Sequence, residues 1–131
     1  MLHPSEFQVN EVWIVFALND APIQTEQDGA FDCICLMDAA SCFILANEMT
    51  SSTAEEPSQL EARHLFEMAL AHKHQTPSTL FVPTGQFQNV VTAEAQRRGI
   101  EVVSVTEREL LAFIGEAKQG FREHVLNGSR E

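Results

Sequence analysis

Apolar and polar positions follow two rhythms along this chain. From Glu11 to Asn19 the residues Val12, Trp13, Ile14, Val15 and Phe16 form a near-continuous apolar run of β-formers, the pattern of a strand covered on both faces. A polar stretch follows, Asp20 to Gly29, with Pro22 and the Asp28-Gly29 turn signal, before a second run from Phe31 to Met37. Asp38, Ala39, Ala40 and Ser41 turn the chain into Cys42 to Met49, so these two runs predict an antiparallel hairpin.

The rhythm then lengthens. Thr50 to Pro57 is polar and reads as a solvated connection. Ser58 and Glu61 make a capping box, and Ala62, Leu65, Phe66, Ala69 and Leu70 recur at helical spacing, predicting a helix that ends near His74. Pro77 leads into a short strand, Thr79 to Val82, closed by Pro83-Thr84-Gly85. Gln88 to Arg98 is a second helix stopped by Gly99, and Ile100 to Val105 a further strand, parallel to the one before because a helix connects them. Thr106 and Glu109 repeat the capping box ahead of a long last helix carrying Leu110, Ile114, Ala117 and Phe121 on one stripe. The order is β-β-β-α-β-α-β-α. It predicts an α/β domain with a five-stranded mixed sheet and helices on both faces.

Composition narrows the picture. The chain has 131 residues, 44% of them hydrophobic, which suits one core. We expect an N-terminal extension over residues 1–10, a single domain over 11–126 and a tail over 127–131. The apolar runs are too short to cross a bilayer and the first ten residues lack the features of a secretion signal, so a cytoplasmic protein is expected. A formal charge of −11 disfavours nucleic acid, and the eight Lys and Arg residues form no basic stripe. Arg97 and Arg98, just before Gly99, suit a helix C-terminus. Cys33, Cys35 and Cys42 are an odd number without zinc-ligand spacing, so reduced thiols are expected, Cys33 and Cys35 packing on one strand face.

Residues 38–50, Asp-Ala-Ala-Ser-Cys-Phe-Ile-Leu-Ala-Asn-Glu-Met-Thr, resemble the second hairpin of integrase and transposase catalytic cores, which carry an Asp-x-x-Ser turn before an apolar strand. The resemblance extends to Trp13 in a Trp-x-x-Asp-type strand, to Ala54 and Glu55 entering a helix, and to Pro83-Thr84-Gly85-Gln86-Phe87, similar to an Asp-x-Gly-x-Phe segment. It spans roughly residues 11 to 125 and implies a ribonuclease H-like fold. It also implies phosphoryl transfer through two divalent ions held by two strand carboxylates and one on a late helix. The strand carboxylates fall at Phe16 and Pro83, which cannot bind a metal through their side chains. The helix carboxylate falls near Glu116.

Other chemistry finds little support. Asp32 and Asp38 share a strand face but lie about 20 Å apart in an extended chain. Glu67 lies outside the apolar stripe of its helix. His64 and His72 are two turns apart, about 12 Å, and His72 and His74 suit a helix end. Ser41 and Ser104 lack a nucleophile elbow, and Gly29 and Gly85 lie in no phosphate-cradling series.

Three readings remain open. The first is a non-catalytic ribonuclease H-like domain without a cofactor, acting as a protein-interaction or scaffold module, with self-association through the edge strand Cys42 to Met49 as one form of it. The second is a magnesium- or manganese-dependent nuclease or transposase-related enzyme using Asp20, Asp38 and Glu116. The third is a small-molecule binding module with a pocket near Thr84 and Thr106, beyond the carboxyl ends of the parallel strands. Phe16 and Pro83 weigh against an enzyme.

Overall fold

The computed structural model describes residues 2–25, 29–54 and 56–128. Asp28 of the expected turn, Glu55 and the end of the tail lie outside the described residues. Strand β1 (Val12–Ala17) is followed by β2 (Ile23–Thr25), β3 (Gly29–Asp38), β4 (Ile44–Ser51), helix α1 (Gln59–Lys73), β5 (Thr79–Pro83), α2 (Val90–Arg97), β6 (Glu101–Val105) and α3 (Glu107–Gly128). The strands form one mixed sheet. β1 is antiparallel to β3 and parallel to β5, β5 is parallel to β6, and β4 pairs with the other side of β3.

Alternation along β1 divides the core. Trp13 and Val15 face α1 and α2, packing with Leu65, Phe66, Val91 and Ala95, whereas Val12, Ile14 and Phe16 face α3 and its Leu110, Phe113 and Ile114. Both faces of β1 are thus dry, which is why its sequence is apolar at every position. Both capping boxes are realised at least in part. The N–H of Glu61 donates to Ser58 Oγ at 3.1 Å and that of Ser58 to Glu61 Oε1 at 2.8 Å, while at α3 the N–H of Glu109 donates to Thr106 Oγ1 at 3.3 Å. His74, at φ 61°, closes α1 in a left-handed conformation, and Gly99, at φ 79°, follows α2.

Two features differ from the expectation. The sheet has six strands rather than five, because part of the polar stretch Asp20 to Gly29 rejoins the ladder as β2, on the same side of β3 as β1. Asn19 explains the interruption: its side-chain oxygen accepts the N–H of Cys33 at 2.7 Å, taking the role of a ladder carbonyl between the end of β1 and the start of β2. The hairpin's second strand begins at Ile44, because Cys42 adopts φ 59° at the end of the turn. Within the stretch expected as an extension, Leu2 and Phe7 pack against the α3 side of the core. Phe7 contacts the rings of Phe81 and Phe113 at centroid distances of 5.7 and 6.0 Å, closing the α3 side of the core.

Candidate functional site

Phe16 and Pro83 come together. The register of β1 on β5 sets Ile14 opposite Phe81, and two residues further the same register brings Phe16 beside Pro83. Both are buried and both line a cavity of ≈ 250 Å³ at the carboxyl end of the parallel strands. Ala17, Asn19, Asp20 and Asp32 enclose it from the sheet, Gln86 from the turn after β5, and Glu107, Ile114 and Lys118 from α3. At that volume it falls just below the usual ligand pocket of about 300–1,000 Å³.

Charge in the cavity is organised around Lys118. Its side chain is only 9% exposed, and Nζ lies 2.8 Å from Asp20 Oδ1 and 3.7 Å from Glu107 Oε1. Arg122 Nε donates to the other oxygen of Asp20, Oδ2, at 2.8 Å. The hydrogen bond from Lys118 is the chief reason that the Asp20 carboxyl is held below its ordinary value; partial burial opposes it, and the charges of Lys118 and Arg122 reinforce it. Asp32 accepts a hydrogen bond from Asn19 Nδ2 at 2.9 Å. Beyond the Asp20 cluster a second, mostly apolar cavity of ≈ 530 Å³ is lined by Ala21, Pro22, Ile23 and Phe121.

The carboxylates Asp20, Asp38 and Glu116 do not converge. Asp38 sits opposite Trp13 at the start of β1, whereas Asp20 follows its end, so about 15 Å of strand separates them. Asp38 is fully buried and structural: its Oδ1 accepts the N–H of Asn10 at 2.6 Å, and its Oδ2 accepts the N–H and hydroxyl of Ser41 at 2.9 and 2.7 Å. Glu116 is exposed on α3, on the side of Cys42, whose thiol is pushed up by burial first and then by Glu116 and Asp38. The α3 residues in the wall of the cavity that Phe16 and Pro83 line are Glu107, from the first turn of the helix, Ile114 and Lys118, and Glu116 is not among them. Among the described residues no three His, Cys, Asp or Glu side chains form a group able to hold a metal ion. The residues therefore do not fit a pair of divalent ions.

Thr84 and Thr106 lie at the expected end of the sheet but do not line the cavity. Thr84 donates its N–H to Val105 O at 3.0 Å, and Thr106 caps α3. The remaining candidates are likewise engaged. His64 Nδ1 is 2.7 Å from Glu48 Oε2, and the His72 ring stacks on Phe43 at 5.3 Å. Arg97 and Arg98 both pair with buried Glu94, and Arg98 also lies over the Phe66 ring at 5.8 Å, so Arg98 ties α2 to α1 as well as closing the helix. Cys33, Cys35 and Cys42 are free thiols packed in the α3 side of the core.

Sequence reasoning missed Lys118, Asn19 and Glu107. One signal was present for Lys118: it follows Leu110 and Ile114 at intervals of four, so it stands on the buried stripe of its own helix. A cation at such a position needs a partner.

Solved structures share this architecture. A chain of the cryo-EM structure of the simian T-cell lymphotropic virus intasome in complex with PP2A regulatory subunit B56 gamma superposes with a TM-score of 0.59 at 14% identity, covering 92% of this chain and 41% of that one. The HTLV-2 integrase catalytic core domain in complex with magnesium matches in its dimeric form with a TM-score of 0.55 at 12% identity, and in its trimeric form with 0.54 at 14%. This chain is covered to 92% in both, and those chains to 72% and 71%. The likeness shows a ribonuclease H-like fold. No family model and no curated protein matches the chain.

Proposed function

We propose that this chain is a non-catalytic ribonuclease H-like domain that serves as a protein-interaction or scaffold module. The adjacency of Phe16 and Pro83 in the cavity wall carries the reading. Magnesium and manganese demand several oxygen ligands in near-octahedral array, and two-metal phosphoryl transfer needs carboxylates that bridge ions about 4 Å apart. A phenyl ring and a proline ring supply none, and the carboxylates nearest to them are already paired with Lys118, Arg122 and Asn19.

The outer surface supports the second half of the reading. Leu60, His64, Met68 and His72 follow one another at intervals of four along α1, and His64 and His72 contact Glu48 and Phe43 on the β4 side. Leu60, Met68 and Phe43 are exposed large apolar side chains there, 73% in the case of Leu60. β4 pairs only with β3 among the described strands, so its outer side is a sheet edge. Three free thiols support a reducing, cytoplasmic setting, and no described helix is long and apolar enough to cross a membrane.

Calorimetric titration with magnesium and manganese, beside a cleavage assay on single- and double-stranded DNA, tests the reading. We expect no specific binding and no cleavage. Micromolar binding of two ions with metal-dependent cleavage would overturn it. Sedimentation equilibrium reports self-association directly.

A further inference from the structure

The geometry of β3 points to Cys33 as a site of reversible oxidation by hydroperoxides, with Cys35 as the thiol that closes the oxidised sulfur into a disulfide. This goes beyond the proposed function and stands independently of it.

Alternation along a strand sends residues 33 and 35 to one face, and both thiols belong to the α3 side of the core. They are within reach of each other: each is the leading influence on the acidity of the other, Cys33 being lowered and Cys35 raised. Two steps of extended chain set their Cα atoms about 6.6–6.8 Å apart, at the upper end of the span that a disulfide bridges. Cys42 falls outside that span. It closes the turn after β3 with its N–H on Asp38 O, and Asp38 stands three residues, about 10 Å, beyond Cys35.

Access separates the two thiols. Cys33 stands at the margin of its face: Met49, opposite it on β4, is 43% exposed, and Phe31, two residues earlier, is half-buried. Cys33 itself keeps 9% of its surface open, which suits a reagent as small as hydrogen peroxide, whereas Cys35 is fully covered. The outer thiol therefore meets the oxidant and the inner one meets only the outer thiol.

In the first step the Cys33 thiolate attacks one peroxide oxygen and the O–O bond breaks. The departing hydroxide takes a proton from solvent and leaves as water, so sulfur loses two electrons, the peroxide gains them, and Cys33 becomes a sulfenic acid. In the second step the Cys35 sulfur attacks that of Cys33. The S–O bond breaks, the Cys35 proton goes to the departing hydroxide, and a second water leaves with the disulfide in place. The new bond closes a loop of only three residues, so it restricts the unfolded chain little while drawing together two positions of an extended strand. The oxidised chain should therefore melt below the reduced one and be readily reduced again.

The test treats the full chain with hydrogen peroxide, with and without dimedone as a trap for sulfenic acid, and reads peptide masses and melting temperature. The peptide that carries both cysteines should lose two hydrogen atoms, at least about tenfold faster than Cys42 is oxidised, since reactivity follows the thiolate. Dithiothreitol should restore the mass and raise the melting temperature back. Cys35→Ala should instead accumulate a dimedone adduct on Cys33, and Cys33→Ala should leave Cys35 reduced. A wild type that gathers as much dimedone adduct as Cys35→Ala would overturn the inference, because Cys35 would then resolve nothing. So would peroxide that oxidises Met49 while both thiols stay reduced, or a Cys33 disulfide found only between two chains. These last two outcomes are read on the wild type alone and stand even where a variant fails to fold.

Discussion

The backbone N–H of Asn10 donates to the carboxylate of Asp38 at 2.6 Å, across 28 residues of sequence. Through that bond the turn between β3 and β4 holds the residue that leads into β1. Asn10 stands at φ 65° and uses its own side chain in both directions, accepting from Trp13 Nε1 at 2.7 Å and donating to Gln75 O at 2.9 Å. Asp38 also orders its own turn through Ser41. The Asp-x-x-Ser pattern is thus a structural clasp at the end of the sheet opposite the cavity. Replacing Asp38 by Ala strands two backbone N–H groups and removes three hydrogen bonds to a charged acceptor, so urea unfolding should show a loss of about 3 kcal/mol. Asp38→Asn keeps an acceptor and should cost about 1 kcal/mol.

Glu94 is 3% exposed on α2 and receives both Arg97 and Arg98. Removing a buried carboxylate leaves Arg98 over the Phe66 ring without its main counter-charge, whereas the largely exposed Arg97 can turn to water. Glu94→Ala should therefore destabilise the fold by about 2–3 kcal/mol, below the full cost of an orphaned buried ion, and Arg97→Ala by less than about 1 kcal/mol. Thermal denaturation of the two variants side by side checks the asymmetry.

These cases show which parts of the molecule could be read from the chain alone. The capping boxes at Ser58 and Thr106, the apolar run of β1 and the helix stop at Gly99 are local, so neighbouring residues encode them. The order of elements then leads to the fold, and with it to Phe16 and Pro83 as a neighbouring pair. What escaped is non-local. Arg122 and Asp20 are 102 residues apart, and no short pattern announces their bond. Glu56, in a stretch that reads as plain linker, accepts the N–H groups of Asn89 and Val91 and so supplies α2 with an N-terminal carboxylate from 33 and 35 residues away. β2 was hidden for a related reason: one side-chain oxygen, that of Asn19, substitutes for backbone in the ladder.

Asp20 gives the fold a defined acid response. Its folded-state pKa is depressed, first by the Lys118 hydrogen bond, below the ordinary 3.8. A depressed carboxylate contributes stability that is fully present above the unfolded-state value and is lost as pH falls through the folded-state value. The difference in melting temperature between the wild type and Asp20→Asn should accordingly be constant from neutral pH down to about pH 5 and shrink below about pH 4. A difference that grows on acidification would contradict the assignment. High salt should reduce the part owed to Arg122 most, because that guanidinium is 53% exposed and Lys118 is not.

Cys33 and Cys35 point to the same side of β3, toward α3, but differ in access: Cys33 is 9% exposed and Cys35 not at all. The neighbouring Cys35 thiol holds the Cys33 thiol below its ordinary value, while Cys33 and burial raise Cys35. Nucleophilic reactivity resides in the thiolate, so the pair should behave as one reactive and one silent cysteine despite lying two residues apart. Alkylation with iodoacetamide across a pH series, read by peptide mass spectrometry, should label Cys33 with a midpoint well below that of an ordinary thiol and leave Cys35 unmodified until the protein unfolds. In Cys35→Ala that neighbour is gone while the fold loses only one small buried atom, so the Cys33 midpoint should move up toward the ordinary value of 9.0. Cys42, raised by burial with Glu116 and Asp38 nearby, should react only at higher pH and serves as the internal reference. An unchanged Cys33 profile in the Cys35→Ala variant would show that the neighbouring thiol does not set its acidity.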